Sequence, residues 1–151
     1  MHDTNPGEIF AVFNEIGIIE QLSRARLEAR LPDGLIAPHF TVLNHLMRVG
    51  DGTTPLRMAR AFQVPKTTLT HTLKGLETRA LIEMRPNPED GRSKTVWITD
   101  AGRTLRNQTI GQMAPDMMRL LEGFDVEALI AMRPVLSALR ELLDDARSAS
   151  D

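Results

Sequence analysis

Pro86-Asn87-Pro88-Glu89-Asp90-Gly91-Arg92-Ser93-Lys94 is the stretch of sequence that decides the fold. It lies between two short runs rich in large or β-branched apolar residues, 81–85 and 95–98. Proline, asparagine, aspartate and glycine concentrated between two such runs predict a β-hairpin. An amphipathic helical segment, 66–79, comes directly before it, and the turn Gln63-Val64-Pro65 separates that segment from a shorter helical one. Helix, turn, helix and basic hairpin in this order predict a winged helix-turn-helix.

The composition excludes several classes of protein. The chain has 151 residues, 42% of them hydrophobic, which suffices for one well-buried domain or for a small domain with a dimerisation part. The absence of cysteine from the sequence excludes disulfides, thiolate zinc sites and thiol-based redox switches. No apolar run approaches the roughly 20 residues that span a bilayer, and the N-terminus lacks a signal-peptide pattern. We therefore predict a soluble, cytoplasmic protein with no membrane partner.

Charge is unevenly distributed along the chain. The net charge is −2, but the span 57–106 contains ten Lys or Arg and five Asp or Glu, a net +5, which leaves −7 for the remainder. A basic middle between acidic ends predicts an anionic partner for the middle. Chance variation in the charge of a solvated surface is the alternative.

Helical periodicity extends to both sides of the central region. Apolar residues at helical spacing predict a first helix that ends near 31–34 and a second helix around 40–47. Thr53-Thr54-Pro55 predicts a short strand beside the hairpin, followed by the N-cap and first residue of the third helix. Thr99-Asp100 and Asp125 predict the starts of the fifth helix and the last one.

Two prolines lie within the C-terminal helical pattern. Pro115 is expected to kink or end the fifth helix, and Pro134 to bend the last one. The outer helices are more apolar than isolated surface helices require. We therefore expect them to pack on each other and on a second copy of the chain, with an intramolecular bundle as the alternative.

The helical segment 66–79 has an apolar side and a polar side. Leu69, Leu73 and Leu76 share one side, and Gly75 is expected to weaken the helix by ~1 kcal/mol relative to alanine. The other side carries short polar and basic residues, which a helix needs to reach base edges in the major groove of DNA. We assign threonines and a histidine to bases and two lysines to phosphates: Lys66, Thr67, Thr68, Thr70, His71 and Lys74. The alternative is the solvated face of an ordinary helix.

The hairpin tip carries the second set of predicted DNA contacts, Asp90, Arg92 and Lys94. We expect Arg92 and Lys94 to project from the same face of a strand, because one residue separates them. Asp90 is expected to hold the Arg92 guanidinium through a charge-assisted hydrogen bond. An arginine oriented in this way suits a narrow A·T-rich minor groove. A surface ion pair worth only ~0–1 kcal/mol is the alternative.

The predicted fold is mainly α with a small antiparallel β wing. We place a winged helix-turn-helix DNA-binding domain at 35–103, and a helical dimerisation region at 1–34 and 104–151 as one intertwined unit. A symmetric homodimer would match DNA half-sites, which lie about one helical turn (~34–36 Å) apart.

Several segments resemble the MarR family of bacterial transcription regulators. The resemblance covers residues 55–60 and 63–71, which form the predicted helix-turn-helix, and the later segments 76–82, 90–94 and 98–102. It is specific over roughly residues 35–103. It implies a winged-helix homodimer that binds palindromic operators in double-stranded DNA, often as a repressor released by a small aromatic or anionic molecule. Two positions depart from the family pattern. Ala80 stands where glycine is usual, so we expect this helix to end without a left-handed residue, and His71 stands where arginine is frequent.

Other sites are less clearly marked. By resemblance, an effector site would lie between the dimer helices and the winged domain, with Arg24, His39, His45 and Met113 as candidate lining residues. No metal site is predicted, because His39 and His45 lack the i, i+4 spacing of helical ligands. No cofactor or enzyme motif is found. The rival functions are a winged-helix protein–protein adaptor without DNA binding and, third, a small-molecule enzyme.

Overall fold

The computed structural model describes residues 5–149, so the extreme ends of the predicted dimerisation region, 1–4 and 150–151, lie outside the described residues. The chain is mainly helical, with one antiparallel hairpin. Its elements are α1 (Pro6–Glu28), α2 (Ala37–Val49), α3 (Pro55–Phe62), α4 (Lys66–Thr78), β1 (Ile82–Pro86), β2 (Lys94–Ile98), α5 (Asp100–Leu120), α6 (Val126–Ala131) and α7 (Arg133–Ser148). The predicted fold class is confirmed.

The helix starts follow local side-chain chemistry. The hydroxyl of Thr54 accepts a hydrogen bond from the Arg57 N–H at 3.3 Å, and Pro55 occupies the first turn of α3. The Thr99 hydroxyl accepts from the Gly102 N–H at 3.1 Å, and a carboxylate oxygen of Asp125 accepts from the Ala128 N–H at 2.9 Å. Each cap satisfies a backbone donor that has no partner within its helix. All three predicted helix starts are confirmed.

The hairpin pairs Ile82 with Ile98 and Met84 with Val96, and it continues to Pro86 opposite Lys94. Successive side chains of each strand point to opposite faces of the hairpin, and the buried residues Ile82, Val96 and Ile98 lie on the face toward the core. Thr53 forms a single antiparallel bridge to Val96, so the short strand predicted beside the hairpin is present as one bridge.

One apolar core joins the hairpin to the helix-turn-helix. It is formed by side chains from α2, α3, α4 and both strands, and its least exposed members are Val42, Leu43, Leu46, Met58, Leu76 and Val96. Burial of these side chains, at about 25 cal/mol per Å² of apolar surface, supplies the main force that holds α4 and the hairpin on one body.

The end of α4 corrects one prediction. Ala80 has φ 56°, in the left-handed region, although alanine rarely adopts it. The Leu81 N–H donates to the Leu76 carbonyl at 3.0 Å, and the Ala80 N–H donates to the Glu77 carbonyl at 2.9 Å. These two bonds form a Schellman motif, which requires a left-handed residue at this position. The expectation that α4 ends without one is therefore wrong.

Polar contacts attach the N-terminal half of α5 to the winged region. Asp51 accepts from the Ile98 N–H at 2.7 Å through one carboxylate oxygen and from Arg103 at 3.2 Å through the other. Two nitrogens of the Arg106 guanidinium donate to the side-chain oxygen of Asn44, at 3.1 and 2.9 Å. The start of α5 is thus fixed against both α2 and the end of β2.

The chain divides into two compact units, Met1–Met113 and Ala114–Asp151. In the second unit, α6 and α7 are separated at Met132, and Pro134 lies in the first turn of α7, where a proline needs no backbone partner. The segment that we expected to bend at Pro134 is thus divided into two helices, with the break at Met132. An end of the helix at Pro115 is not found, because α5 continues to Leu120.

Candidate nucleic-acid interface

The two helices of the helix-turn-helix meet at a tight turn. The Val64 N–H donates to the Ala59 carbonyl at 3.1 Å, and Gln63 has φ 57° in the left-handed region. Pro65 is the N-cap of α4. The turn directs one side of α4 into the core, where Leu69, Thr72, Leu73 and Leu76 are buried.

The opposite side of α4 is solvent-exposed and polar. All six residues that the sequence assigned to DNA contact are exposed along this helix: Lys66, Thr67, Thr68, Thr70, His71 and Lys74. The exposed Thr70 hydroxyl donates to the Lys66 carbonyl at 2.9 Å and can still accept a hydrogen bond. The structure therefore brings the predicted set together on one surface with hydrogen-bonding groups and two cations.

The first turn of α4 has no side-chain cap. Within residues 5–149, no side chain hydrogen-bonds to the N-terminal amides of α4, whereas Asn5 caps α1 and Thr54 caps α3. Uncapped helix N-termini present backbone N–H groups and the positive end of the helix dipole to an anion. A phosphate group near Lys66 would meet both the ammonium group and these amides.

Hydrogen bonds within the chain hold the hairpin tip. The Asn87 side chain donates to the Ser93 hydroxyl at 2.9 Å and accepts from the Glu89 N–H at 3.1 Å. Asp90 accepts from the Arg92 N–H at 3.0 Å through its carboxylate and from the Ser93 N–H at 3.1 Å through its carbonyl. The tip is therefore a structured turn rather than a loose loop.

The geometry of the tip corrects two predictions about Arg92. Arg92 lies in the turn, and only Lys94 belongs to a strand, so the two side chains do not project from one strand face. Asp90 bonds to the backbone N–H of Arg92, and among the described residues the Arg92 guanidinium has no ion-pair or hydrogen-bond partner. A short Asp side chain closes a local Asx turn more readily than it reaches a long guanidinium two residues away. Arg92 is exposed and available at the tip.

Sequence reasoning missed an arginine–tryptophan stack on the outer face of the hairpin. The Arg85 guanidinium lies 4.1 Å from the centroid of the Trp97 ring and pairs with Glu83 at 3.0 Å. The Trp97 ring N–H donates to the Thr95 hydroxyl at 2.9 Å. Strand alternation could have predicted this stack. It places Glu83 and Arg85 of one strand on the same face as Thr95 and Trp97 of the other.

The four candidate effector residues have different surroundings. Arg24 pairs with Glu20 on the exposed surface of α1, and Met113 is half-buried in α5. The ring of His45 makes an edge contact with Phe62, with centroids 4.9 Å apart, whereas His39 caps α2. Burial lowers the pKa of both histidines, and the nearby charge of Arg48 lowers that of His45 further. An effector role for these residues stays a prediction.

The fold and this surface together define a winged helix-turn-helix protein. Residues 33–93 match the model of the MarR family, in agreement with the resemblance seen in the sequence. Solved structures that match this chain are described as transcription regulators.

Solved structures share the fold over nearly the whole chain. A cysteine-to-serine mutant of MarR from E. coli, in complex with operator DNA, is 22% identical and has a TM-score of 0.72; the match covers 90% of this chain and 99% of that one. The transcriptional regulator BldR from Sulfolobus solfataricus is 20% identical over 89% and 99% of the chains, with a TM-score of 0.73. BpsR from Bordetella bronchiseptica, whose DNA binding 6-hydroxynicotinic acid regulates, is 21% identical over 86% and 98%, with a TM-score of 0.71.

No described helix is both long enough and apolar enough to cross a bilayer. Within residues 5–149, no group of three or more His, Asp or Glu side chains is placed to hold a metal ion.

Proposed function

We propose that this chain is a sequence-specific, DNA-binding transcription regulator that acts as a homodimeric repressor and is released by a small molecule. The observation that carries the proposal is the exposed polar and basic side of α4 beside a structured hairpin tip that carries a free arginine. The helix α4 and the strands of the hairpin share one core, so α4 and the tip that these strands carry would meet a duplex together.

The chemistry of each element suggests its groove. The threonines and His71 of α4 are short enough to reach base edges or thymine methyl groups in the major groove, and Lys66 and Lys74 suit the flanking phosphates. Arg92 would enter the adjacent minor groove, where a narrow A·T-rich segment has a strong negative potential. Lys94, at the start of β2, is close to Arg92 in the chain and would contact a neighbouring phosphate.

Exposed apolar side chains support the homodimer. Phe10 in α1 is 72% exposed and Val135 in α7 is 70% exposed, with many other large apolar side chains exposed on the same helices. A monomer rarely leaves large apolar patches in water. A second copy of the chain would cover these helices, and two-fold symmetry would then match a palindromic operator.

The proposed effector is a small aromatic or anionic molecule. Its support is the regulation of BpsR by 6-hydroxynicotinic acid, an aromatic acid, in a structure of the same fold. Arg24, His39, His45 and Met113 are the candidate residues for such a ligand. The rival proposal is a protein–protein adaptor with the same fold, since fold does not determine function.

Binding of the purified protein to duplex DNA as a function of salt tests the proposal. Counterion release predicts that log affinity falls linearly with log salt, by about 0.9 for each phosphate contact. We expect Arg92→Ala to weaken binding about 5- to 100-fold, as for the loss of one groove contact. The matched control is Arg48→Ala, which removes the same charge from an exposed arginine in the last turn of α2 and should change affinity less than about twofold. Equal effects of the two variants would remove Arg92 from the interface, and no binding to any duplex would favour the adaptor.

A further inference from the structure

His39 lies in the first turn of α2 and caps that helix. Its Nδ1 accepts a hydrogen bond from the Ile36 N–H at 3.0 Å. Ile36 is the N-cap residue and has no side-chain oxygen, and the first turn of α2 has no acidic residue. A ring nitrogen that accepts a hydrogen bond carries no proton, so this imidazole is neutral and holds its hydrogen on Nε2.

The other edge of the same ring lies against the DNA-facing helix. A Cβ built on Gly75 of α4 would lie 2.9 Å from His39 Nε2 and 3.6 Å from its Cδ2. Only glycine allows the ring so close without displacing it. The glycine that weakens α4 thus has a packing reason, because it creates the space in which His39 contacts α4.

The charged groups around the ring disfavour a proton on it. Burial is the largest cause that lowers the pKa of His39, and the charges of Arg79, the C-cap residue of α4, and of His71 within α4 lower it further. The turn before α2 faces Arg79 through the Asp33 carbonyl. Glu28 of α1 is the acidic residue that reaches the start of α2. Its carboxylate accepts a hydrogen bond from the Ala37 N–H at 2.9 Å, so it is bonded to the backbone rather than to the His39 ring. A proton on Nδ1 would break the bond to Ile36 and add a cation at the positive end of α2.

We propose that His39 is a positioning residue: its neutral ring holds α4 against α2 at Gly75, and its protonation releases α4 and weakens DNA binding. The proposal rests on the proposed DNA-binding function. It makes operator binding sensitive to mild acid.

A second histidine would act in the opposite direction. His71 is on the exposed side of α4, and a proton there would strengthen attraction to phosphates. The test therefore uses His71→Gln as the background and compares it with the double variant His71→Gln/His39→Gln. Glutamine at this position of a helix start can accept the same backbone N–H, but it does not titrate. His45 is unchanged in both proteins, so its titration cancels.

Operator affinity is measured at about pH 7.5 and about pH 5.5, on either side of the ordinary histidine range. In the His71→Gln background we expect acid to weaken binding about 2- to 30-fold, the range that corresponds to a lost helix cap. In the double variant we expect most of that loss to disappear. An equal loss in both proteins would overturn the proposal.

An NMR titration of the wild-type protein tests the same contact without DNA. We expect His39 to be the Nε2–H tautomer near neutral pH, and the Gly75 amide signal to shift with the same midpoint as the His39 ring. An Nδ1–H tautomer, or a Gly75 signal that ignores the titration, would refute the positioning role even if the protein binds no DNA. A normal titration without DNA binding would instead reject the proposed function alone.

Discussion

Replacement of Gly102 by alanine tests the junction between α5 and the winged region. A Cβ at this position would lie 2.2 Å from the Leu81 carbonyl oxygen and 2.8 Å from Ile98 Cγ1. Leu81 cannot move freely, because its N–H closes the end of α4 and its carbonyl accepts from the Thr99 N–H at 3.2 Å. Overpacking costs about 1–3 kcal/mol, and more when backbone must shift, whereas alanine returns about 1 kcal/mol of helix propensity.

We therefore expect Gly102→Ala to lower the free energy of unfolding by about 2 kcal/mol, the overpacking cost less the propensity gain. The midpoint of thermal unfolding should fall by about 4–8 °C for a chain of this size. Urea unfolding at one fixed protein concentration, followed by circular dichroism and by the fluorescence of the single tryptophan, measures the change.

The control for this variant lies in the same helix. A Cβ on Gly111 would meet no atom within 4 Å. Gly111→Ala should therefore stabilise the protein by up to about 1 kcal/mol. If Gly102→Ala proved as stable as Gly111→Ala, the close approach of α5 to Leu81 would be wrong.

Three further changes have predicted signs. Ala80→Gly should raise the free energy of unfolding by about 1 kcal/mol, since glycine adopts the left-handed conformation without strain; calorimetry that finds a loss would contradict the assigned helix end. Asp90→Asn should keep nearly full DNA affinity and Asp90→Ala should lose some, because the turn needs an acceptor rather than a charge; equal losses in a binding titration would restore an ion-pair role. The free energy of unfolding should decrease as pH falls below 6.5, because the pKa values of His39 and His45 are lowered in the folded state and the unfolded chain binds more protons. A pH-independent urea midpoint between about pH 7 and pH 5 would exclude this linkage.

The features that the sequence predicted well depend on residues close together in the chain. A hydroxyl or carboxylate caps a helix whose N–H groups lie two or three residues away, so Thr54, Thr99 and Asp125 marked their helices correctly. The hairpin was predicted for the same reason, since its turn residues and flanking strands adjoin. Local chemistry was therefore enough for the order of elements and for the exposed side of α4.

The features that the sequence missed depend on contacts between distant segments. From the sequence, Gly75 is only a residue that weakens α4. In the structure the ring of His39, 36 positions earlier in the chain, lies against it. Ala80 adopts a left-handed conformation because Leu81 must bond back to Leu76 and enter the core as β1 begins. The Asp90–Arg92 pair shows a subtler limit, because spacing alone could not distinguish a bond to the guanidinium from one to the backbone N–H.

Selection of duplexes from a random pool by the purified full chain tests the central claim most directly. That claim is that two copies of α4 and the hairpin tip bind one duplex together. The account predicts enrichment of a palindrome whose half-sites are centred about 10–10.5 base pairs apart, or a multiple of that spacing. Enrichment of no sequence, or of a single site without two-fold symmetry, would contradict it.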